Sequence, residues 1–283
     1  MKFLIALSLL LCIASGFENC GSRNTQRERL GSMVQKAAVR PRISNGQTAA
    51  ANQFPYQAGF ELFDGEIWCF CGGSLINNEW VLTAAHCTLD AVGGFVYLGS
   101  ITRLDPIVRL EVNKCDIKGH REYDMETFIN DIALIKIPAV TYSAAIQPVS
   151  LPKCTLCCPT YVDKTVVASG WGHTSDTATS CSPVLQFANL KVISNEVCAE
   201  EYADIVAGIL CTSTVNRIGH CDGDSGGPLV LANSKLQIGI ISFHSQDGCE
   251  NDLPAGHTRV TSYLDWIQEN TGLELNKKKC LCF

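Results

Sequence analysis

After its first sixteen residues the chain carries apolar side chains only in short runs of about four to eight, rich in Val, Ile, Leu and aromatics and closed by Gly, Asn or Pro. Trp80 to Thr83, Phe95 to Leu98, Ile132 to Ile137, Val166 to Ser169 and Leu236 to Phe243 are examples. Runs of this length and composition read as strands, and they are too short for a doubly wound parallel sheet. The fold class expected is all-β. One helix is expected near the end, at about 261–271. There Val260, Tyr263, Leu264 and Ile267 recur at three- and four-residue spacing, Thr261 or Ser262 can cap, and Gly272 can stop it. No internal repeat and no low-complexity tract interrupts this pattern.

The first residues belong to another class. Lys2, the apolar run Phe3 to Ile13 and the small residues Ala14, Ser15 and Gly16 form the pattern of a secretory signal over 1–16. That run is too short to cross a bilayer, and no later stretch approaches the roughly 20 apolar residues a membrane helix needs. Export agrees with the 16 cysteines, because an oxidising compartment is where so many are used as disulfides. From 17 to 42, Arg23, Arg27, Arg29, Lys36, Arg40 and Arg42 face only Glu18 and Glu28, with few large apolar residues. Such a segment buries too little to fold alone. Losing residues 1–42 would remove seven basic and two acidic residues from totals of 22 and 28, leaving 15 against 26, net −11. A surface so acidic argues against nucleic acid or an anionic membrane as partner.

Chemistry is concentrated in Cys221-Asp222-Gly223-Asp224-Ser225-Gly226-Gly227-Pro228. Little bulk surrounds the Ser225 hydroxyl, and Gly223 lets the backbone turn so that its own N–H and that of Ser225 converge. Two converging donors beside a hydroxyl nucleophile are what acyl transfer needs to hold its oxyanion. A serine is inert at neutral pH without a base. His86, in Leu82-Thr83-Ala84-Ala85-His86-Cys87, is the candidate base, and Asp131, in Asn130-Asp131-Ile132-Ala133-Leu134, the carboxylate to orient it.

In this order and these contexts, His86, Asp131 and Ser225 resemble the triad of the chymotrypsin-type (trypsin-like) serine proteases, over about residues 42–270. The resemblance implies two six-stranded antiparallel barrels, about 43–150 and 151–258, a peptidase domain over 43–272, and a Cys- and Lys-containing tail over 273–283. The site would lie in the cleft between the barrels. Arg42-Ile43-Ser44-Asn45-Gly46 resembles the family's activation junction. Cleavage after Arg42 by a trypsin-like protease would free the Ile43 amino group to pair with Asp224 and draw the Gly223 N–H into place. The resemblance also implies disulfides Cys71–Cys87, Cys198–Cys211 and Cys221–Cys249. It leaves Cys20, Cys69, Cys115, Cys154, Cys157, Cys158, Cys181, Cys280 and Cys282, an odd number, so at least one is free or joined to another molecule. The expected partners are polypeptide substrates and protein inhibitors, with a monomeric chain. No cofactor or metal is expected, since Asp105, Glu111 and Asp116 form no obvious ligand set and no His accompanies the extra cysteines at zinc spacing.

The substrate pocket departs from the family pattern. Gly219 stands where trypsin-type members carry the aspartate that attracts Arg or Lys, so a basic residue before the cut (P1) is excluded. His220 stands beside this floor, His244 replaces the usual glycine at the mouth, and His257 replaces an aromatic on the back wall near Ala255. Narrowing by these groups favours a small or apolar P1. An acidic P1 is the sharper alternative, because imidazoles can donate to a carboxylate and become cationic near pH 6.5. Asp222 at the rim opposes it. Ser242 and Phe243 form the edge along which an extended peptide pairs. The competing class is a catalytically silent binding protein whose pocket is plugged by His244.

Overall fold

The computed structural model describes residues 46–103, 105–156, 159–275 and 278–279. Its strands are β1 (Gln47–Thr48), β2 (Gln57–Phe63), β3 (Trp68–Leu75), β4 (Trp80–Thr83), β5 (Gly93–Leu98), β6 (Val108–Asn113), β7 (Ile117–Gly119) and β8 (Ala133–Lys136) in the first half. The second half adds β9 (Cys154–Leu156), β10 (Thr165–Gly170), β11 (Gln186–Ile193), β12 (Ile209–Ser213), β13 (Pro228–Leu231), β14 (Gln237–Phe243) and β15 (Ala255–Arg259). A short β16 (Lys278–Lys279) runs parallel to β9. Two α-helices are described, α1 (Asn195–Cys198) and α2 (Leu264–Thr271).

Both seven-stranded sheets are six-stranded barrels with an added piece. In the first, the order is β6-β5-β2-β3-β4-β8-β7, and β6 and β7 are two halves of one strand broken by a turn at Lys114–Asp116. The break is local: the Asp116 carboxylate accepts from the Asn113 N–H at 2.9 Å and caps the turn. One half pairs with β5 and the other with β8, which closes the ring. In the second, β12 pairs with both β15 and β11, closing β11-β10-β13-β14-β15-β12 while β1 rides on the outside of β11. Closure leaves no open sheet edge in either ring.

Alternation along the strands explains the packing. In β5 every second residue (Gly94, Val96, Leu98) is buried, and in β11 Gln186, Ala188, Leu190 and Val192 are. Phe60, Leu62, Leu75, Leu82, Val96 and Leu134 fill the first barrel, and Val166, Leu190, Leu210, Leu229 and Ile238 fill the second. The last helix closes the first barrel's core with Val260, Tyr263, Leu264 and Ile267. It begins later than expected. Val260–Tyr263 forms a 3-10 turn, neither Thr261 nor Ser262 caps, and α2 starts at Leu264. Its end is Gly272, at φ 72°, whose N–H bonds to Gln268 O.

Disulfides join Cys71 to Cys87, Cys198 to Cys211 and Cys221 to Cys249, closing loops of 16, 13 and 28 residues. Loops of this size are each worth about 3 kcal/mol on the chain-entropy account. Cys69 is half-buried and Cys115 exposed, each outside these bonds. Residues 1–42, the junction at Arg42 and Ile43, and Cys20, Cys157, Cys158, Cys280 and Cys282 lie outside the described residues.

Candidate active site

His86 is held from both sides. β4 ends at Thr83, and the chain turns through Ala84 and Ala85 into a single 3-10 turn, His86–Thr88. Thr88 locks that turn by donating its N–H and its hydroxyl to Ala85 O, both at 2.9 Å. Cys87 ties it to β3 through Cys71. Asp131 arrives from the other direction, just ahead of β8. The approach is bent by left-handed backbone at Phe128 and Asn130 (φ 55° and 61°), where Tyr263 donates its hydroxyl to Asn130 Oδ1.

Asp131 is fully buried, and three donors converge on its carboxylate: the His86 N–H at 2.9 Å, His86 Nδ1 at 2.8 Å and the Ser242 hydroxyl at 2.6 Å. Burial pushes its carboxyl up. The neighbouring imidazole and these hydrogen bonds outweigh that and hold it below the usual carboxylate range. An ionised carboxylate only accepts, so the proton of this bond lies on Nδ1 of His86. Ser242 lies on β14, and Thr258 of β15 donates to Asp131 O at 2.6 Å, so two strands of the second barrel fix the aspartate of the first.

Ser225 sits on the loop between Cys221 and β13. Its carbonyl accepts from Gly72 of β3 at 2.8 Å, which sews the loop to the first barrel. Gly226, at φ 75°, is a close approach between barrels: a Cβ there would run into Thr83 Oγ1 and Gly72 O. Gly223, at φ 89°, turns in the left-handed region, and a Cβ would meet Cys181 Sγ at 3.0 Å and Gly172 Cα at 3.1 Å. Among the described hydrogen bonds neither the Gly223 nor the Ser225 N–H has an acceptor. Nor, among them, does one join Ser225 Oγ to His86 Nε2, whose neighbour is Cys87 Sγ at 3.6 Å.

Asp224, next to the serine, is fully buried. It accepts from the Gly172 N–H at 2.8 Å and the Cys221 N–H at 3.0 Å, with no cation paired to it among the described residues. Burial raises its pKa from 3.8 to about 7.

The protein-family comparison matches the Trypsin model over residues 43–267. The chain belongs to the trypsin family. It is 42% identical to collagenase of Hypoderma lineatum over 278 residues, 96% of this chain and 99% of that one. To brachyurin of Leptuca pugilator it is 41% identical over 234 residues, 82% of this chain and 99% of the other. A solved structure of HL collagenase superposes with a TM-score of 0.77 at 42% identity, covering 82% of this chain and all of that one. As a trypsin-family member the chain is a serine endopeptidase acting on polypeptides, and the reading as a silent binding protein is withdrawn.

Of the residues expected to form the substrate pocket, Gly219, His220, Ala255 and His257 are all buried. The three imidazoles form a row. His257 Nε2 meets Thr212 Oγ1 at 2.9 Å, its ring lies 5.1 Å from that of His220, and His220 lies 5.7 Å from His244. His244 is held through both ring nitrogens, Nδ1 to Ser245 O at 2.8 Å and Nε2 to the Asp222 carboxylate at 3.2 Å. Among the described residues Nδ1 of His257 is buried without a hydrogen-bond partner, and the His220 ring, also buried, faces the Phe243 backbone. Burial pushes His220 well below the usual imidazole range and His257 down to about 3. Burial lowers His244 too, but Asp222 outweighs it and raises the group. Burial thus disfavours the cationic form of two imidazoles, while the third lies 3.2 Å from the Asp222 carboxylate.

Two cleft residues had no sequence signal. Phe128 packs edge-on to His86 (6.3 Å between rings) and against Phe243 (5.4 Å), and Tyr202 packs edge-on to Phe243 (5.3 Å). Both lie in irregular segments where neither motif nor periodicity marks a wall.

Proposed function

We propose that this endopeptidase is made as a secreted zymogen and activated by a trypsin-like protease that cuts after Arg42. Ser225 attacks the peptide carbonyl and His86 Nε2 takes its proton. Asp131 holds the imidazole and stabilises the cation it becomes, and the N–H groups of Gly223 and Ser225 receive the oxyanion. His86 then protonates the leaving amine, and water, deprotonated by the same imidazole, releases the acyl group from Ser225.

The observation carrying this reading is the Asp131 carboxylate bound by His86 on one barrel and Ser242 on the other, beside a serine loop with two unclaimed amides. Activation is supported by Asp224, a buried carboxylate without a counter-charge, which is what a new ammonium at Ile43 would supply. On this reading residues 1–16 are the signal, 17–42 the propeptide, 43–272 the peptidase domain and 273–283 a tail. The P1 residue is small or apolar: no acid stands on the floor at Gly219 and Ala255, and His244 narrows the mouth. Because the Hypoderma relative is named for collagen, collagen belongs among the substrates assayed.

The test is a serine-reactive phosphonate probe applied before and after cleavage at Arg42. Labelling of Ser225 that appears only after cleavage, and disappears in Ser225→Ala, is the expected result. Equal labelling of the uncut chain would overturn the zymogen half, and no labelling of either form would overturn the triad. A peptide library read for the residue before each cut then gives P1, and cleavage confined to Arg, Lys, Glu or Asp would refute the assignment.

A further inference from the structure

The β5–β6 loop carries an arginine whose surroundings the catalytic reading leaves unused. Ile101, Thr102 and Arg103 are pinned across the cleft to the second barrel. Leu185 N–H and Trp171 Nε1 both bond to Ile101 O, at 2.7 and 2.8 Å, Thr102 bridges to Val184, and Arg103 N–H bonds to Pro183 O at 3.0 Å. The Arg103 side chain lies over the face of Phe70, with Cζ 5.1 Å from the ring centre, and Phe70 in turn meets Trp171 edge-on at 6.2 Å. Its Nε and Nη1 are sealed from solvent and have no acceptor among the described residues. Together with Gly59, Tyr97 and Ser100 these rings wall a small pocket whose void, about 10 Å³, has room for a water or one oxygen atom. Neither nearby acid is paired with Arg103 among the described residues. Glu61 accepts from Tyr97 at 2.7 Å, and Asp105, two residues on, makes no ion pair with Arg103 among the described residues.

The pocket's position is set by what flanks it. Phe70 is followed by Cys71, disulfide-bonded beside His86, and by Gly72, whose N–H holds Ser225 O. Trp171 is followed by Gly172, which donates to Asp224 and borders Gly223. On the endopeptidase reading the acyl half of a substrate pairs along Ser242–His244, and the leaving half is assigned to the Phe70–Trp171 side, whose neighbours Gly72 and Gly172 hold the serine loop. A guanidinium stacked on an aromatic face, with buried N–H groups unclaimed, is a ready receptor for a carboxylate oxygen. On a net-acidic protein it is also a local exception that would select such a group.

Resting on the endopeptidase reading above, we infer that Arg103, with Phe70 and Trp171, forms a subsite for an acidic side chain, Asp or Glu, of the polypeptide a few residues beyond the scissile bond on the leaving side.

The experiment uses the Arg42-cleaved enzyme and peptides with one acyl half and Ala, Gln, Glu or Lys placed in turn at the second to fourth positions after the cut. At one position Glu should exceed Gln in kcat/KM by about tenfold at low salt, mostly through KM, and the ratio should shrink severalfold in 1 M NaCl. Arg103→Met should bring it to about one while leaving Ser225 labelling and the Ala peptide's rate intact. Arg103→Lys should keep part of it. A Glu-to-Gln ratio near one at every position in the wild-type enzyme overturns the inference and leaves the pocket to a water. A preference that survives Arg103→Met overturns it too. Should Arg103→Met fail to fold, the wild-type series and its salt dependence still decide. Loss of Ser225 labelling in the wild-type enzyme would instead strike the catalytic reading.

Discussion

Asp224 gives the sharpest energetic test, because the proposed activation would tie its charge state to whether the chain has been cut. In the uncut chain its carboxyl is fully buried with two backbone donors and a pKa raised from 3.8 to about 7 by burial. The folded form therefore binds a proton that the unfolded form has released between those two values. Stability contributed by the protonated group is present at low pH and is lost as pH rises from about 4 to about 7. A shift of about three units corresponds to roughly 4 kcal/mol. At roughly 2–4 °C per kcal/mol for a domain of this size, the uncut chain should lose about 8–16 °C of Tm across that window from this group. Cleavage after Arg42 would place an ammonium against the carboxylate and remove the loss. The assay is calorimetry of uncut and Arg42-cleaved protein, both carrying Ser225→Ala to prevent self-digestion, from pH 4 to 8. His220 and His257, with lowered pKa values, add stability as pH rises, but they do so in both forms and cancel in the difference. The two Tm curves should diverge with rising pH, and Asp224→Asn in the uncut chain should flatten its curve toward that of the cleaved form. Parallel curves would refute the pairing of Asp224 with the new terminus.

Further outcomes follow from the same contacts. Ser242→Ala removes one of three donors to the Asp131 carboxylate, so kcat should fall about tenfold with KM little changed, since a hydrogen bond to a charged group is worth about 1.5–3 kcal/mol; steady-state kinetics read it. Replacing Cys71 and Cys87 together by Ala should lower stability by about 3 kcal/mol in chemical unfolding and cost activity as well, because that bond holds the His86 turn. His244→Gly should open the pocket mouth and move the P1 profile toward large aromatic residues, and an unchanged library profile would show that His244 does not set the entrance.

Much of the fold could be read from short segments. β4 coincides with the apolar run Trp80–Thr83, and β14 starts one residue into Leu236–Phe243, because period-two burial is written in neighbouring residues. The helix end at Gly272 was legible for the same reason, whereas its beginning was not. Thr261 and Ser262 can cap in principle, but packing of Val260 and Tyr263 into the first barrel draws the chain into a 3-10 turn first. Ser242 was marked as a peptide-pairing edge, yet its hydroxyl turns inward to Asp131, 111 residues away in sequence, and no local pattern records such a contact.

Residue types and their order carry the proposed chemistry: a hydroxyl flanked by glycines, an imidazole after a small-residue turn, a carboxylate before a strand, and no acid at Gly219. Charge states and unclaimed donors came from tertiary structure. Burial lowers His220 and His257 and raises Asp224, because residues distant in the chain exclude water around them and so disfavour the charged form of each. Arg103 reads in sequence as one more surface cation. Only the docking of its loop on Phe70, Trp171 and Pro183 leaves two of its nitrogens buried without an acceptor among the described residues.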